Sequence, residues 1–291
     1  ERIKLIMAYI SFKPKDYFNT LTYTGNESAG HAITGVGFQP DWVWAKRRSG
    51  SGESHILVDS VRGATKTLKT NTANGEGTNA DGITGFDADG FTLGTSIEPN
   101  TSSANYVAWN WKAGGAATGS GDITVGHGLG IAPEFIIGKV RNQNYGWVNF
   151  ALPAGADAVV GFGTNAAASG SDNVAYGKTA PTSTVFTAGR GSTDNMNFGS
   201  GDTVVAYCIA PIEGYSKVGS YIGNGSTSGP FIFTGFRPAW ILFKRIDGGT
   251  HHWRLFDSVR NTFNEVDEYL SPSNSNTEDT GKDIDLLSNG F

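Results

Sequence analysis

Two aspartates recur in this chain in one context: Asp59 and Asp257 each open an Asp-Ser-Val-Arg tetrapeptide that closes with Arg62 and Arg260. Two carboxylates about 5–10 Å apart would suit glycan cleavage, one as acid and one as base or nucleophile. The recurrence argues otherwise, because a catalytic pair needs both members in one site and each aspartate here carries its own arginine. A strand-end Asp bound to a turn amide and a nearby guanidinium accounts for the motif without chemistry. Other clusters fare no better. Asp87-Ala88-Asp89-Gly90 starts like a calcium loop but has no further oxygen ligands and no closing Glu. The five histidines, His31, His55, His127, His251 and His252, show no pair at helical spacing, and adjacent His251 and His252 point to opposite faces of a strand. Cys208, the one cysteine, sits in an apolar run and reads as a buried inert thiol. No Gly-rich phosphate loop and no nucleophile elbow is present. The expectation is a protein with no catalytic residue, no metal and no cofactor.

The aromatic residues are the remaining candidates. Trp42 and Trp44 share one strand face, and Trp109 and Trp111 another. Exposed, such pairs would stack on sugar rings; buried, they are core. Trp42 recurs as Phe135 and Trp240, which favours core at that position. Tyr145 with Trp147, and Trp253 with His251 and His252, follow loop-like sequence and are expected to be surface recognition residues.

What positions these residues is a repeat. Between Tyr17–Arg62 and Tyr215–Arg260, 17 of 46 positions are identical without a gap, where unrelated chains would share roughly three. Pro40, Trp42, Asp59 and Arg62 return as Pro238, Trp240, Asp257 and Arg260. A weaker middle copy is anchored at Pro133, and there Ala151-Leu152-Pro153 replaces the Asp motif. The reading is an N-terminal segment, 1–16, followed by modules at 17–113, 114–214 and 215–291. The middle module lacks the Tyr-x-Gly opening strand and has the Gly-rich stretch 114–121 instead. From Pro40 to Ala108 is 68 residues and from Pro133 to Ala206 is 73. The third module's last strand would thus fall near position 310, so that module reads as truncated, with the native chain continuing.

Short β-branched or aromatic runs separated by Gly, Asn, Ser and Thr predict an all-β chain of tandem antiparallel, jelly-roll-like sandwiches with little helix. Strands are predicted at Tyr17–Tyr23, Asp41–Lys46, His55–Asp59, Gly90–Thr95 and Asn105–Trp111. The prolines fit the first position of a strand, where a missing N–H costs nothing. Asp89-Gly90 and Asn289-Gly290 signal hairpins. The post-proline strand is apolar on both faces and is expected inside a sandwich or under a neighbouring module. One helical turn is predicted, at Val266–Leu270.

Composition agrees. The 291 residues include 41 Gly, 7 Trp, 10 Tyr and 17 Phe, with a formal net charge of −5. This is too aromatic for disorder, and neither the charge nor any Lys/Arg run suggests a nucleic-acid surface. No run is long enough to span a membrane as a helix. The N-terminal apolar stretch does not read as a signal peptide, and Met7 is the expected start.

Together, Tyr23-Thr24-Gly25-Asn26, Gly37-Phe38-Gln39-Pro40-Asp41, Asp59-Ser60-Val61-Arg62-Gly63, Gly90-Phe91-Thr92-Leu93-Gly94 and Tyr106-Val107-Ala108-Trp109 resemble the repeat of a tailed-bacteriophage virion protein family. That family is common in marine phages, especially cyanophages, and usually described as tail fibre. The resemblance implies a virion protein of the tail or capsid surface, made in the host cytoplasm, and implies no catalytic residue. A tail-fibre or host-attachment module is the first expectation. The alternatives are a structural capsid decoration or tail adaptor and, third, a glycan-degrading tailspike-like enzyme. Expected partners are the chain itself as a homotrimer, other virion proteins, and a host surface glycan or protein; nucleic acid and membrane insertion are not expected.

Overall fold

The computed structural model describes residues 12–113, 124–163, 166–168, 175–189, 196 and 201–291. Strand accounts for 33 % and helix for 4 %, with every sheet antiparallel, so the chain is all-β with little helix. Module 1 holds β1 (Phe18–Thr24), β2 (His31–Thr34), β3 (Trp42–Arg47), β4 (Ile56–Asp59), β5 (Lys66–Lys69), β6 (Gly77–Thr78), β7 (Ile83–Asp87), β8 (Gly90–Leu93) and β9 (Asn105–Trp111). A six-stranded sheet, β1-β9-β3-β4-β5-β6, faces a three-stranded one, β2-β8-β7. Module 2 repeats this with β10 (Thr124–Gly126), β11 (Phe135–Val140), β12 (Val148–Ala151), β13 (Val185–Thr187) and β14 (Val204–Ile209), as sheets β12-β11-β14 and β10-β13. Module 3 keeps β15 (Trp240–Phe243) and β16 (Arg254–Asp257), with isolated bridges beyond them.

Register aligns the three copies. Trp42 faces Asp59, Phe135 faces Ala151 and Trp240 faces Asp257 across equivalent strand pairs. The double-sided apolar character of β3 now has its reason. Val43 and Ala45 enter the module's own sandwich with Ile33, Phe91 and Ala108. Trp42 and Trp44 point the other way, into a second core shared by all three modules. There they meet Phe135, Ile137, Trp147 and Phe162 of module 2 and Trp253, Leu255 and Leu270 of module 3. Period-two alternation thus sends one face of each large sheet to a private core and the other to a common one.

Two local expectations change. Val266–Leu270 is extended, with Val266 bridged to Ile284 and Leu270 to Leu255, and the one α-helical turn among the described residues is Ile97–Asn100. Apolar Val266 and Leu270 each serve a sheet neighbour, a tertiary demand that outweighs helix preference. The β7–β8 hairpin closes through Ala88-Asp89, because Asp87 pairs with Gly90. Gly90 has φ +153° and a Cβ there would lie 1.9 Å from the Ile33 carbonyl, so glycine is needed for close approach rather than for the turn. Its counterpart Gly290 is pressed in the same way against Ile232 O, at 2.1 Å.

Candidate functional site: the module junctions

The repeated charged residues lie where modules meet. Asp59 closes β4; its Oδ1 accepts the Arg62 amide at 2.8 Å and its Oδ2 pairs with Arg62 Nε. The Arg62 guanidinium also donates to Leu57 O (3.0 Å), Glu76 (3.1 Å) and the phenol of Tyr207 on β14 of module 2 (3.0 Å). That phenol donates to Asp59 Oδ2 at 2.7 Å and stacks its ring on Trp42, centroids 4.3 Å apart. Module 3 repeats the arrangement against module 1. Asp257 accepts from the Val259 and Arg260 amides, from Arg260 Nε at 2.6 Å, and from the indole N–H of Trp109 on β9 at 3.0 Å. Arg260 donates on to Leu255 O and Glu278.

Burial decides what these groups can do. Asp59 is 3 % exposed and Asp257 0 %. Each buried charge is paired and its remaining valences are filled, which is the condition for tolerating it in a core. Burial opposes the Arg62 charge, but Tyr207, Asp59 and Glu76 outweigh it and the guanidinium is held more basic than usual. Burial pushes the Tyr207 phenol up, so it stays a donor. Burial would also raise Glu76, but Arg141 and Arg62 hold it below the usual carboxylate range.

Equivalent bonds run in one cyclic sense around three junctions. The residue before the fourth strand is His55, Trp147 or Trp253. Each directs a ring nitrogen to the same carbonyl of the neighbouring module: His55 Nε2 to Ser271 O (3.0 Å), Trp147 Nε1 to Lys69 O (2.8 Å) and Trp253 Nε1 to Gly161 O (2.8 Å). A second cycle is wholly backbone, with Glu278 N to Arg48 O (3.2 Å), Glu76 N to Arg141 O (2.5 Å) and Ala168 N to Ile246 O (3.3 Å). Module 1 contacts 3, 2 contacts 1, and 3 contacts 2. The modules therefore close a pseudo-threefold ring within one chain, through heterologous contacts that complete a rotation. Ion pairs reinforce two junctions: Arg48 with Glu278 and Glu268, and Arg141 with Glu76.

Buried lysines tie the same seams. Lys46 donates to Ser275 O across the 1–3 junction, and burial lowers it to about 8. Lys139 is capped by the carbonyls of Ala73, Val140, Gln143 and Tyr145. His55 accepts the Trp44 indole N–H at Nδ1 (3.0 Å), which makes Nε2 the protonated nitrogen facing Ser271 O. Burial, then Lys46, hold His55 well below its ordinary value.

The surface assignments divide. Trp147 and Trp253 are 3 % and 4 % exposed and belong to the shared core. Their loop-like context misled because each sits one residue ahead of a strand whose neighbour is another module. Tyr145 is half-buried beside Lys139, His251 is half-buried with Nε2 3.1 Å from Arg245 Nη1, and His252 is exposed with Nδ1 2.8 Å from Ser273 Oγ. Pro40, Pro133 and Pro238 are buried ahead of their strands. Asp89 accepts the Gly35 and Gly37 amides, and no cluster of metal-ligating side chains occurs among the described residues. No described helix is long and apolar enough to cross a membrane. Sequence reasoning missed His55, Lys46 and Lys139; aligning His55 with Trp147 and Trp253 at one repeat position would have exposed the first.

These features define a class: a tandem β-sandwich repeat protein whose modules share one core. The family model described as Domain of unknown function (DUF7483) matches twice, over residues 13–124 and 116–291, and the chain belongs to that family. No curated protein and no solved structure matches the chain.

Proposed function

We propose that this chain is a non-enzymatic surface protein of a tailed-phage virion, a tail-fibre or host-attachment module. The observation that carries the reading is the fate of the repeated carboxylates. Asp59 and Asp257 are buried and saturated by arginine, turn amides and a Tyr or Trp donor from the next module, so they are spent on assembly of the ring. The resemblance to phage virion repeats supplies the biological setting. Half-buried Tyr145 and His251 and exposed His252 supply candidate contacts for a host glycan or protein. A homotrimer of whole chains would use surfaces outside the ring, since the ring itself closes within one chain.

Purified protein, added to host cells before infection, is expected to block adsorption of the phage that carries it. Unchanged adsorption at saturating protein overturns attachment, and release of oligosaccharide from host polysaccharide overturns the non-enzymatic reading. A second reading, a capsid decoration or tail adaptor, has its own observation: Ile222, Phe231 and Phe233 are exposed together beside β15, an apolar surface suited to another protein. Antibody labelling of particles separates the two by position.

A further inference from the structure

The three equivalent central strands do not have equivalent neighbours. β3 is paired on both sides, by β4 and β9, and β11 by β12 and β14. Among the described residues β15 is paired only with β16. The bonds that mark the two ends of the missing pairing are specific. Asp41 N donates to Trp111 O (2.8 Å) and Arg48 N to Asn105 O (2.7 Å); Glu134 N donates to Ile209 O (3.0 Å) and Arg141 N to Thr203 O (2.7 Å). The third members of this series are the amides of Ala239 and Ile246, and they donate to no backbone carbonyl among the described residues. On the far side, Ser216–Ile222 occupies the place of β1 but forms no strand. Between the two walls runs an open groove of about 2300 Å³, reaching Trp240, Leu242, Phe243 and Phe231. Its uncovered state shows in one pair of counterparts: Ile33 of module 1 is 5 % exposed, and Phe231 of module 3 is 53 %.

We propose that this groove is a strand-acceptor slot, and that its occupant is a third copy of the repeat's last strand, the counterpart of Asn105–Trp111 and Val204–Ile209. The strand lies antiparallel to β15, starting opposite Ile246 and ending opposite Ala239, as β9 lies on β3. An exposed sheet edge with unpaired donors and acceptors takes up an added strand by main-chain hydrogen bonds, and side-chain pockets set the sequence. The register states those pockets. Positions opposite Trp240 and Leu242 enter the shared core, where the other copies place Trp111 and Trp109, or Ile209 and Tyr207. The position opposite Phe243 must be small, as Ala108 and Ala206 are. One position differs in chemistry. Trp109 and Tyr207 each donate to a motif aspartate, whereas the third strand meets Ala151, so it carries an apolar residue there and needs no donor.

The test uses residues 1–291 with a synthetic peptide of Asn105–Lys112, followed by hydrogen exchange at the Trp240, Leu242 and Ile246 amides. By period-two alternation from Ile246 these point into the slot. They are expected to exchange fast alone and to become protected at one peptide per chain, while the Trp42 and Trp44 amides stay protected throughout as the check on folding. A peptide N-methylated at Val107 and Trp109 keeps its side chains but loses the ladder, and is expected to bind at least about tenfold more weakly. A Trp109→Leu peptide is expected to bind no less well than the parent. Absence of protection with the fold intact, or equal binding of the N-methylated peptide, overturns the proposal. Protection of the same amides by self-association without peptide would assign the slot to a second copy and overturn it as well.

Discussion

Two of the three junctions carry an Asp–Arg lock, and the third carries none. At the 3–1 and 1–2 seams a motif aspartate takes a donor from the neighbour's last strand, an indole in one and a phenol in the other. At the 2–3 seam the equivalent position is Ala151, yet both the ring-nitrogen bond from Trp253 and the backbone bond from Ala168 are kept. The locks are therefore not what closes the ring. Apolar packing and a small set of repeated bonds to main-chain carbonyls do that at every seam, and the charged motif is added where both partners are present. A buried ion pair is a poor source of net stability but a costly thing to break. The motif's role is thus best read as fixing which module meets which.

That contrast is broken most directly at Arg260. Replacing it with Met leaves Asp257 charged at 0 % exposure with its guanidinium gone. We expect a loss of about 3–5 kcal/mol, read as a fall in the urea midpoint. Arg62→Met should cost less, because the Asp59 side chain is 5 % exposed where that of Asp257 is 0 %. Equal and small losses at both sites would mean that the locks carry no structural weight.

The unlocked module offers a change in the opposite direction. Asn149 occupies the position of Leu57 and Leu255, is 0 % exposed, and neither its Nδ2 nor its Oδ1 meets a partner among the described residues. Burying an unpaired amide costs about 1–3 kcal/mol. Asn149→Leu, which restores the residue of the other two copies with the same number of side-chain heavy atoms, is expected to stabilise the chain by about that amount. A drop in stability would show that the amide has a function in the core. Tyr207→Phe, which deletes one hydroxyl from the 1–2 lock, is expected to cost about 1–2 kcal/mol. Its phenol serves both Asp59 and Arg62, so a neutral result would place the seam's energy wholly in the stacking on Trp42.

How far the sequence led can be argued from the same residues. Strand positions, the sandwich class and the burial of Trp42 were legible because alternation and repeated prolines are local signals. The double-sided apolar run of β3 even announced a second covering surface. What it could not say was that this surface is a ring axis. Trp147, Trp253 and His55 look unrelated in sequence, and they make one bond type only because the repeat aligns them. Lys46 and Lys139 each take one carbonyl from the neighbouring module, Ser275 O and Ala73 O, and nothing local in the sequence announces that contact. Local pattern carries the elements; the site is built from registers between modules, and those appear only when the copies are superposed.

The histidine that stands where the other seams have tryptophan sharpens the comparison with an effect visible only in acid. His55 is neutral in the folded chain, with Nδ1 accepting from Trp44 and Nε2 donating to Ser271 O. A proton added at Nδ1 would face the indole N–H, and burial, then the Lys46 charge, already hold the group well below its ordinary value. In the unfolded chain it titrates near its unperturbed value of about 6.5. Below that pH the unfolded state binds a proton that the folded state refuses. Its contribution to stability is therefore constant above about pH 6.5 and turns unfavourable as pH falls, by up to about 1.4 kcal/mol per unit. His55→Gln, which keeps an amide donor without a titrating group, should remove that part of the acid slope and leave stability near pH 8 little changed. Denaturation midpoints compared at pH 5 and pH 8 read the difference; identical slopes in both proteins would show that His55 is not the group that opens the 1–3 seam in acid.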